Sequence, residues 1–65
     1  MNIDQLDQLE QDADYRDYAI DLISTHPEDY GIEESDDYVE TYGWETYRDL
    51  DVEDRKDIAR QYLNL

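Results

Sequence analysis

Six acidic side chains near the start of the chain follow the spacing of an α-helix. Successive members of the row are 3, 3, 4, 3 and 4 residues apart: Asp4, Asp7, Glu10, Asp14, Asp17 and Asp21. On a helix, residues at these intervals stack above one another, about 5–6 Å apart. Like charges at that distance destabilise a helix by a few tenths of a kcal/mol per pair. The row therefore predicts a helical ridge of carboxylates whose repulsion is compensated by something outside the fold.

Two further acidic rows follow. The second consists of Glu33, Asp36 or Asp37, and Glu40, and the third, at a strict spacing of four, of Glu45, Asp49, Glu53 and Asp57. The third row requires that no break occurs at Asp51. The whole chain has 20 acidic and 5 basic residues, a formal net charge of −15. A plain solvated helix face usually mixes both signs, so this excess of one sign indicates a surface directed at a partner.

The same charge raises the alternative of disorder, because strongly acidic chains of low hydropathy often do not fold. However, the sequence has seven tyrosines, one tryptophan and aliphatic residues at regular helical spacing. Disordered acidic tails are usually poor in aromatic residues. With 65 residues and no cysteine, the sequence predicts one small domain, residues 1–65, without disulfides or thiolate metal ligands.

The first quarter of the chain contains start signals for two helices. Asn2 is a candidate N-cap for the first, which is followed by apolar residues at helical spacing. A break or kink is expected near residues 11–14, because Asp12 would otherwise fall toward the apolar side. Asp12 or Asp14 can then cap the second helix.

Proline and glycine divide the middle of the chain. Pro27 ends the second helix and begins a short turn that Gly31 closes. Ser35 indicates another helix start, and Gly43 indicates its end. Residues 38–42 also have strong β propensity, so a short strand there is the main alternative.

A last helix is expected to begin after Asp51. Its predicted apolar side consists of Val52, Ile58, Ala59, Tyr62 and Leu63. The sequence as a whole predicts an all-α protein, a compact bundle of four to five short helices. An α+β fold with a strand around 38–42 is the alternative.

The tyrosines are divided between core and surface. The aromatic residues expected in the core are Tyr18, Tyr42, Trp44 and Tyr62. A tyrosine that lies among carboxylates on the surface can stack on an arginine of a partner. The tyrosines expected in that role are Tyr30, Tyr38 and Tyr47.

The sequence contains no complete motif for metal binding or catalysis. Asp12-x-Asp14 and Asp49-x-Asp51-x-Glu53 resemble the start of a calcium loop, but both lack its glycine and its final acidic residue. No hydroxyl side chain is paired with a base and an orienting acid. The sequence therefore predicts no catalytic residue, no metal site and no cofactor.

The ends and the hydropathy of the chain predict a cytoplasmic protein. The N-terminus has no basic segment or apolar run of signal-peptide length, and no stretch approaches the roughly 20 apolar residues of a membrane span. Anionic membranes and nucleic acids would both repel the chain. The expected partner is therefore a basic protein surface, and the oligomeric state is left open.

In its small size, charge, lack of cysteine and carboxylate rows, the chain resembles the acidic DNA-mimic inhibitors of phages and mobile elements. These include anti-restriction proteins, uracil-DNA glycosylase inhibitors and several anti-CRISPR proteins, which share no signature motif and no single fold. Residues 57–63 are weakly similar to a helix of the ArdA-type anti-restriction proteins, over too short a stretch to transfer a residue role.

The resemblance implies an inhibitor that occupies the DNA-binding surface of a host defence complex. An anti-CRISPR protein acting on a Cascade-type surveillance complex is the first expectation. Anti-restriction or glycosylase inhibition, and a non-inhibitory acidic interaction module, are the alternatives. The side chains expected to contact the partner are Asp4, Asp7, Glu10, Asp14, Asp17, Asp21, Asp29, Tyr30, Glu33, Asp36, Asp37, Tyr38, Glu40, Glu45, Tyr47 and Asp49.

Overall fold

Four α-helices and one 3₁₀ turn account for most of the chain. The computed structural model describes all 65 residues. Its elements are α1 (Ile3–Leu9), α2 (Ala13–Thr25), the 3₁₀ turn (Pro27–Tyr30), α3 (Asp36–Arg48) and α4 (Val52–Leu63). The predicted all-α bundle of short helices is confirmed. The alternative strand at 38–42 is wrong, because these residues lie within α3.

Three helices begin where the sequence places a capping side chain. The Asn2 side chain accepts a hydrogen bond from the backbone N–H of Gln5 at 2.8 Å, and Asp12 and Ser35 cap α2 and α3 in the same way. Each cap satisfies a backbone N–H that the helix itself leaves without a partner. Asp51 precedes α4 as predicted, but its side chain makes no capping hydrogen bond.

The turn after α2 follows the proline and glycine signals. Helix α2 ends at Thr25, and Pro27 is the first residue of the 3₁₀ turn. Gly31 ends the turn with a φ of +68°, in the left-handed region that glycine enters without a steric penalty. The predicted turn is confirmed.

Gly43 does not end α3, so the predicted helix end at this residue is wrong. The helix runs through it with non-helical dihedral angles at Tyr42 (φ −118°, ψ 27°). Gly43 is buried where α3 crosses α2, and a Cβ atom at this position would lie 2.5 Å from Cγ2 of Ile20. Because α2 makes its most extensive contacts with α3, this close approach belongs to the main helix–helix interface.

The core lies between the helices and contains two tyrosines. Its fully buried apolar residues are Leu6, Tyr15, Ala19, Ile23, Val39, Tyr47, Ile58 and Ala59. Burying a large apolar side chain contributes about 1.5–3 kcal/mol. In a molecule of 30 × 21 × 20 Å, this burial and the half-buried residues around it offset the repulsion among the negative charges.

The predicted aromatic core is only partly correct. Tyr18, Trp44 and Tyr62 are half-buried and pack against the core. Tyr42 is 49% exposed, so its predicted place in the core is wrong. Leu63, expected on the apolar side of α4, is 60% exposed near the end of that helix.

Candidate partner-binding surface

Both ion pairs of the molecule involve the same buried carboxylate. Glu10 follows α1 as its C-cap and is 2% exposed. Its Oε1 accepts a hydrogen bond from Nη1 of Arg48 at 3.0 Å, and Nη1 of Arg55 lies 3.4 Å from Oε2. The Tyr47 hydroxyl donates to Oε2 at 2.7 Å. The carboxylate thus joins the end of α1 to α3 and α4.

A second tyrosine extends this network into α2. The hydroxyl oxygens of Tyr15 and Tyr47 are 2.7 Å apart. Because the Tyr47 proton is donated to Glu10, Tyr15 must be the donor to Tyr47. Burial raises the pKa of Tyr15 to about 12 and raises that of Tyr47 still further above the ordinary tyrosine value. Both hydroxyls therefore remain protonated donors at neutral pH.

A third arginine, Arg16, binds the backbone of Glu10 rather than its carboxylate. Nε of Arg16 donates to the carbonyl oxygen of Glu10 at 2.7 Å, and its guanidinium lies 4.6 Å above the ring of Trp44. Trp44 in turn stacks on Tyr47, with ring centroids 4.6 Å apart. Three of the five basic side chains are therefore fixed around Glu10, where they stabilise the bundle and leave the surface carboxylates unpaired.

Two residues of the predicted partner-binding set are misplaced. Glu10 and Tyr47 are both buried, so the prediction that they face a partner is wrong. The sequence does contain a signal for each. Glu10 stands four residues after the core residue Leu6, and Tyr47 stands eight after the core residue Val39, so helical periodicity directs both side chains inward.

The remaining acidic residues of the predicted set are all exposed. These are Asp4, Asp7, Asp14, Asp17, Asp21, Asp29, Glu33, Asp36, Asp37, Glu40, Glu45 and Asp49. Both ion pairs of the molecule use Glu10, so no basic side chain lies within 4.0 Å of any of the other 19 carboxylates. The structure therefore separates charge: three of the five basic side chains are held around the buried Glu10, and the other 19 carboxylates make no ion pair.

Helix breaks divide the predicted acidic rows. The break expected near 11–14 is confirmed, and it leaves Asp4 and Asp7 on α1 but Asp14, Asp17 and Asp21 on α2. The third row is interrupted between α3 and α4, as the condition on Asp51 anticipated. The longest uninterrupted ridge of the first row is the set of three aspartates on α2, whose spacing of 3 and 4 places them on one face.

The predicted surface tyrosines have different environments. Tyr38 is 42% exposed and lies 4.9 Å, between ring centroids, from the exposed ring of Tyr42. Tyr30 is half-buried against the core, and its hydroxyl accepts a hydrogen bond from Gln61 at 3.3 Å. Burial also raises the pKa of Tyr30. Of the three predicted tyrosines, only Tyr38 presents a substantial part of its ring to solvent.

The largest open groove, of about 600 Å³, lies between α1 and α4. Leu9, Arg60 and Leu63 line it together with Asp12, whose carboxylate already caps α2. No group of three or more His, Cys, Asp or Glu side chains is arranged to hold a metal ion. None of the four α-helices has the length and apolar character needed to cross a lipid bilayer.

Comparison of the chain with protein-family models, with curated proteins and with solved structures finds no match. Function must therefore be inferred from the chemistry of the surface.

Proposed function

We propose that this protein is a stoichiometric inhibitor that occupies the DNA-binding surface of a basic protein, with its exposed carboxylates in place of phosphates. The observation that carries the proposal is the separation of charge described above. Nineteen carboxylates have no basic partner within the molecule. A small domain needs a net charge of only about 2–8 for solubility, so −15 exceeds what solubility requires.

The charge density supports the comparison with DNA. The longest dimension of the molecule is 30 Å, and its net charge is −15. Duplex DNA carries one negative charge per about 1.7 Å of axis, or about 18 charges over the same length. A basic groove shaped for a duplex would therefore meet a similar number of negative charges over a similar distance.

The physical steps of inhibition follow from this distribution. Opposite fields accelerate the encounter of the inhibitor with a basic surface, and salt weakens that attraction. In the complex, arginines of the partner form charge-assisted, often bidentate hydrogen bonds with carboxylates, as they do with phosphates. Binding also relieves the like-charge repulsion along each acidic ridge.

Within this class, the target we propose first is a Cascade-type surveillance complex, which makes the protein an anti-CRISPR protein acting in the host cytoplasm. Restriction enzymes and uracil-DNA glycosylase are the next targets, because the same mimicry serves against each. The support for this finer assignment is the resemblance in size, charge and composition. A partner that still binds DNA in the complex would instead make the protein an acidic interaction module.

The experiment uses the α2 ridge. Purified protein is titrated against a Cascade-type complex, a restriction enzyme and uracil-DNA glycosylase, and binding of labelled duplex is measured. We expect loss of DNA binding at about one equivalent for one of them. The variant Asp14→Lys/Asp17→Lys/Asp21→Lys is expected to lose inhibition while it keeps its helical circular dichroism.

A second variant controls for net charge alone. Glu28→Lys/Glu34→Lys/Asp51→Lys makes the same change in charge at exposed carboxylates outside the three acidic rows and the predicted contact set. It is expected to keep most of the inhibition. Full inhibition by the Asp14→Lys/Asp17→Lys/Asp21→Lys variant would show that the α2 aspartates do not contribute to inhibition. If a pull-down from host lysate recovers only partners that DNA does not displace, the DNA-mimic proposal fails.

A further inference from the structure

Two tyrosines on α3 lie outside the core. Tyr38 and Tyr42 are 42% and 49% exposed, whereas the other five tyrosines are buried or half-buried. Neither ring packs against the core, and neither hydroxyl makes a hydrogen bond within the protein. The rings instead contact each other, with centroids 4.9 Å apart and planes tilted by 46°. They form an exposed aromatic pair.

An unpaired carboxylate accompanies this pair. Glu45 follows Tyr42 by three residues, which places it one helical turn away on the same side of α3, and it is exposed. It has no basic side chain within 4.0 Å. The surface therefore offers flat aromatic rings for stacking and an adjacent carboxylate for hydrogen bonding.

The protein already stacks one of its own arginines on an aromatic ring of α3. The guanidinium of Arg16 lies 4.6 Å above the ring of Trp44, two residues along α3 from Tyr42. A guanidinium is planar and more weakly hydrated than an ammonium group, so arginine stacks on aromatic rings more readily than lysine does.

We propose that the Tyr38–Tyr42 pair binds arginine side chains of a basic partner, with stacking on the rings and hydrogen bonds to Glu45. This inference rests on the proposed function and adds to it a preference for arginine over lysine. The negative charge of this surface disfavours two other binding partners. It repels the phosphates of a nucleic acid, and it repels a second copy of this chain, which carries the same charge of −15.

The test uses two peptides of equal charge, nona-arginine and nona-lysine, titrated calorimetrically into the full chain at about 150 mM NaCl. We expect the arginine peptide to bind more tightly. The variant Tyr38→Ala/Tyr42→Ala should bind the arginine peptide about 3- to 30-fold more weakly, the range expected for the loss of one or two cation–π contacts. It should leave binding of the lysine peptide nearly unchanged.

The matched control is Tyr38→Phe/Tyr42→Phe, which keeps both rings and should keep the arginine preference. Equal affinity of the wild-type protein for the two peptides, or an undiminished arginine preference in the alanine variant, would overturn the inference. Displacement of DNA is scored separately on the same variants. Displacement without an arginine preference would contradict the inference alone, and an arginine preference without displacement would contradict only the proposed function.

Discussion

Glu10 differs from the other 19 carboxylates because it is buried and forms the ion pairs of the molecule. Its two oxygens accept from Tyr47 and Arg48 and lie within 3.5 Å of Arg55. A buried carboxylate is costly unless its acceptors are satisfied by donors such as these. The same contacts fix the relative positions of three helices. A residue that resembles its acidic neighbours in sequence is therefore part of the interior.

We expect Glu10→Gln to destabilise the fold strongly. The substitution keeps the shape of the side chain but replaces one acceptor oxygen with an NH₂ donor and leaves the mostly buried Arg55 without a counter-charge. Breaking such a partly buried pair costs about 2–3 kcal/mol, a large part of the stability of a domain this small. Urea denaturation followed by circular dichroism measures the change.

Glu40→Gln is the matched control, because it makes the same chemical change at an exposed carboxylate with no ion pair. It should leave the midpoint unchanged or raise it slightly, since it removes like-charge repulsion. Equal midpoints for the two glutamine variants would show that the buried network contributes nothing to stability.

At the scale of the elements, Gly43 determines how closely α2 and α3 approach. Glycine is normally unfavourable inside a helix, and alanine at an exposed position would gain about 1 kcal/mol. Here the added Cβ would lie 2.5 Å from Cγ2 and 3.1 Å from Cγ1 of Ile20, inside the contact distance of two carbon atoms. The packing of the helix pair therefore overrides the local preference.

We expect Gly43→Ala to lower the free energy of unfolding by about 1 kcal/mol, because overpacking costs about 1–3 kcal/mol and exceeds the gain in helix propensity. Ile20→Ala removes both close atoms, so the double variant should be less destabilised than the sum of the two single variants. Urea midpoints of the four proteins give the coupling. A stabilising Gly43→Ala would show that Ile20 moves aside without cost.

The limits of the sequence prediction also lie at this scale. The caps at Asn2 and Ser35 and the turn at Pro27 follow from chemistry within a few residues, so the sequence contains all that is needed to predict them. The continuation of α3 through Gly43 depends on the Ile20 side chain that α2 places opposite it, and no local pattern contains that information. The exposure of the acidic ridges follows from their charge, but their use by a partner remains a prediction.

The whole molecule combines a small core with a large unpaired charge. Eight buried apolar residues support a domain whose 19 unpaired carboxylates all lie within 30 Å of length. At about 10 mM salt the screening length is about 30 Å, so each carboxylate is repelled by nearly all the others. At about 0.5 M it is a few ångströms, and most of this repulsion vanishes. A basic partner would relieve the same repulsion, which links the stability of the free protein to its proposed binding.

The most direct test of this uncompensated surface is the thermal unfolding temperature of the free protein between about 10 mM and 500 mM NaCl. Screening should raise it continuously across that range. The Asp14→Lys/Asp17→Lys/Asp21→Lys variant, with six fewer net negative charges, should show a shallower rise. An unfolding temperature that stays constant or falls with salt would contradict the central claim, because it would mean that the surface carboxylates do not repel one another in the folded protein.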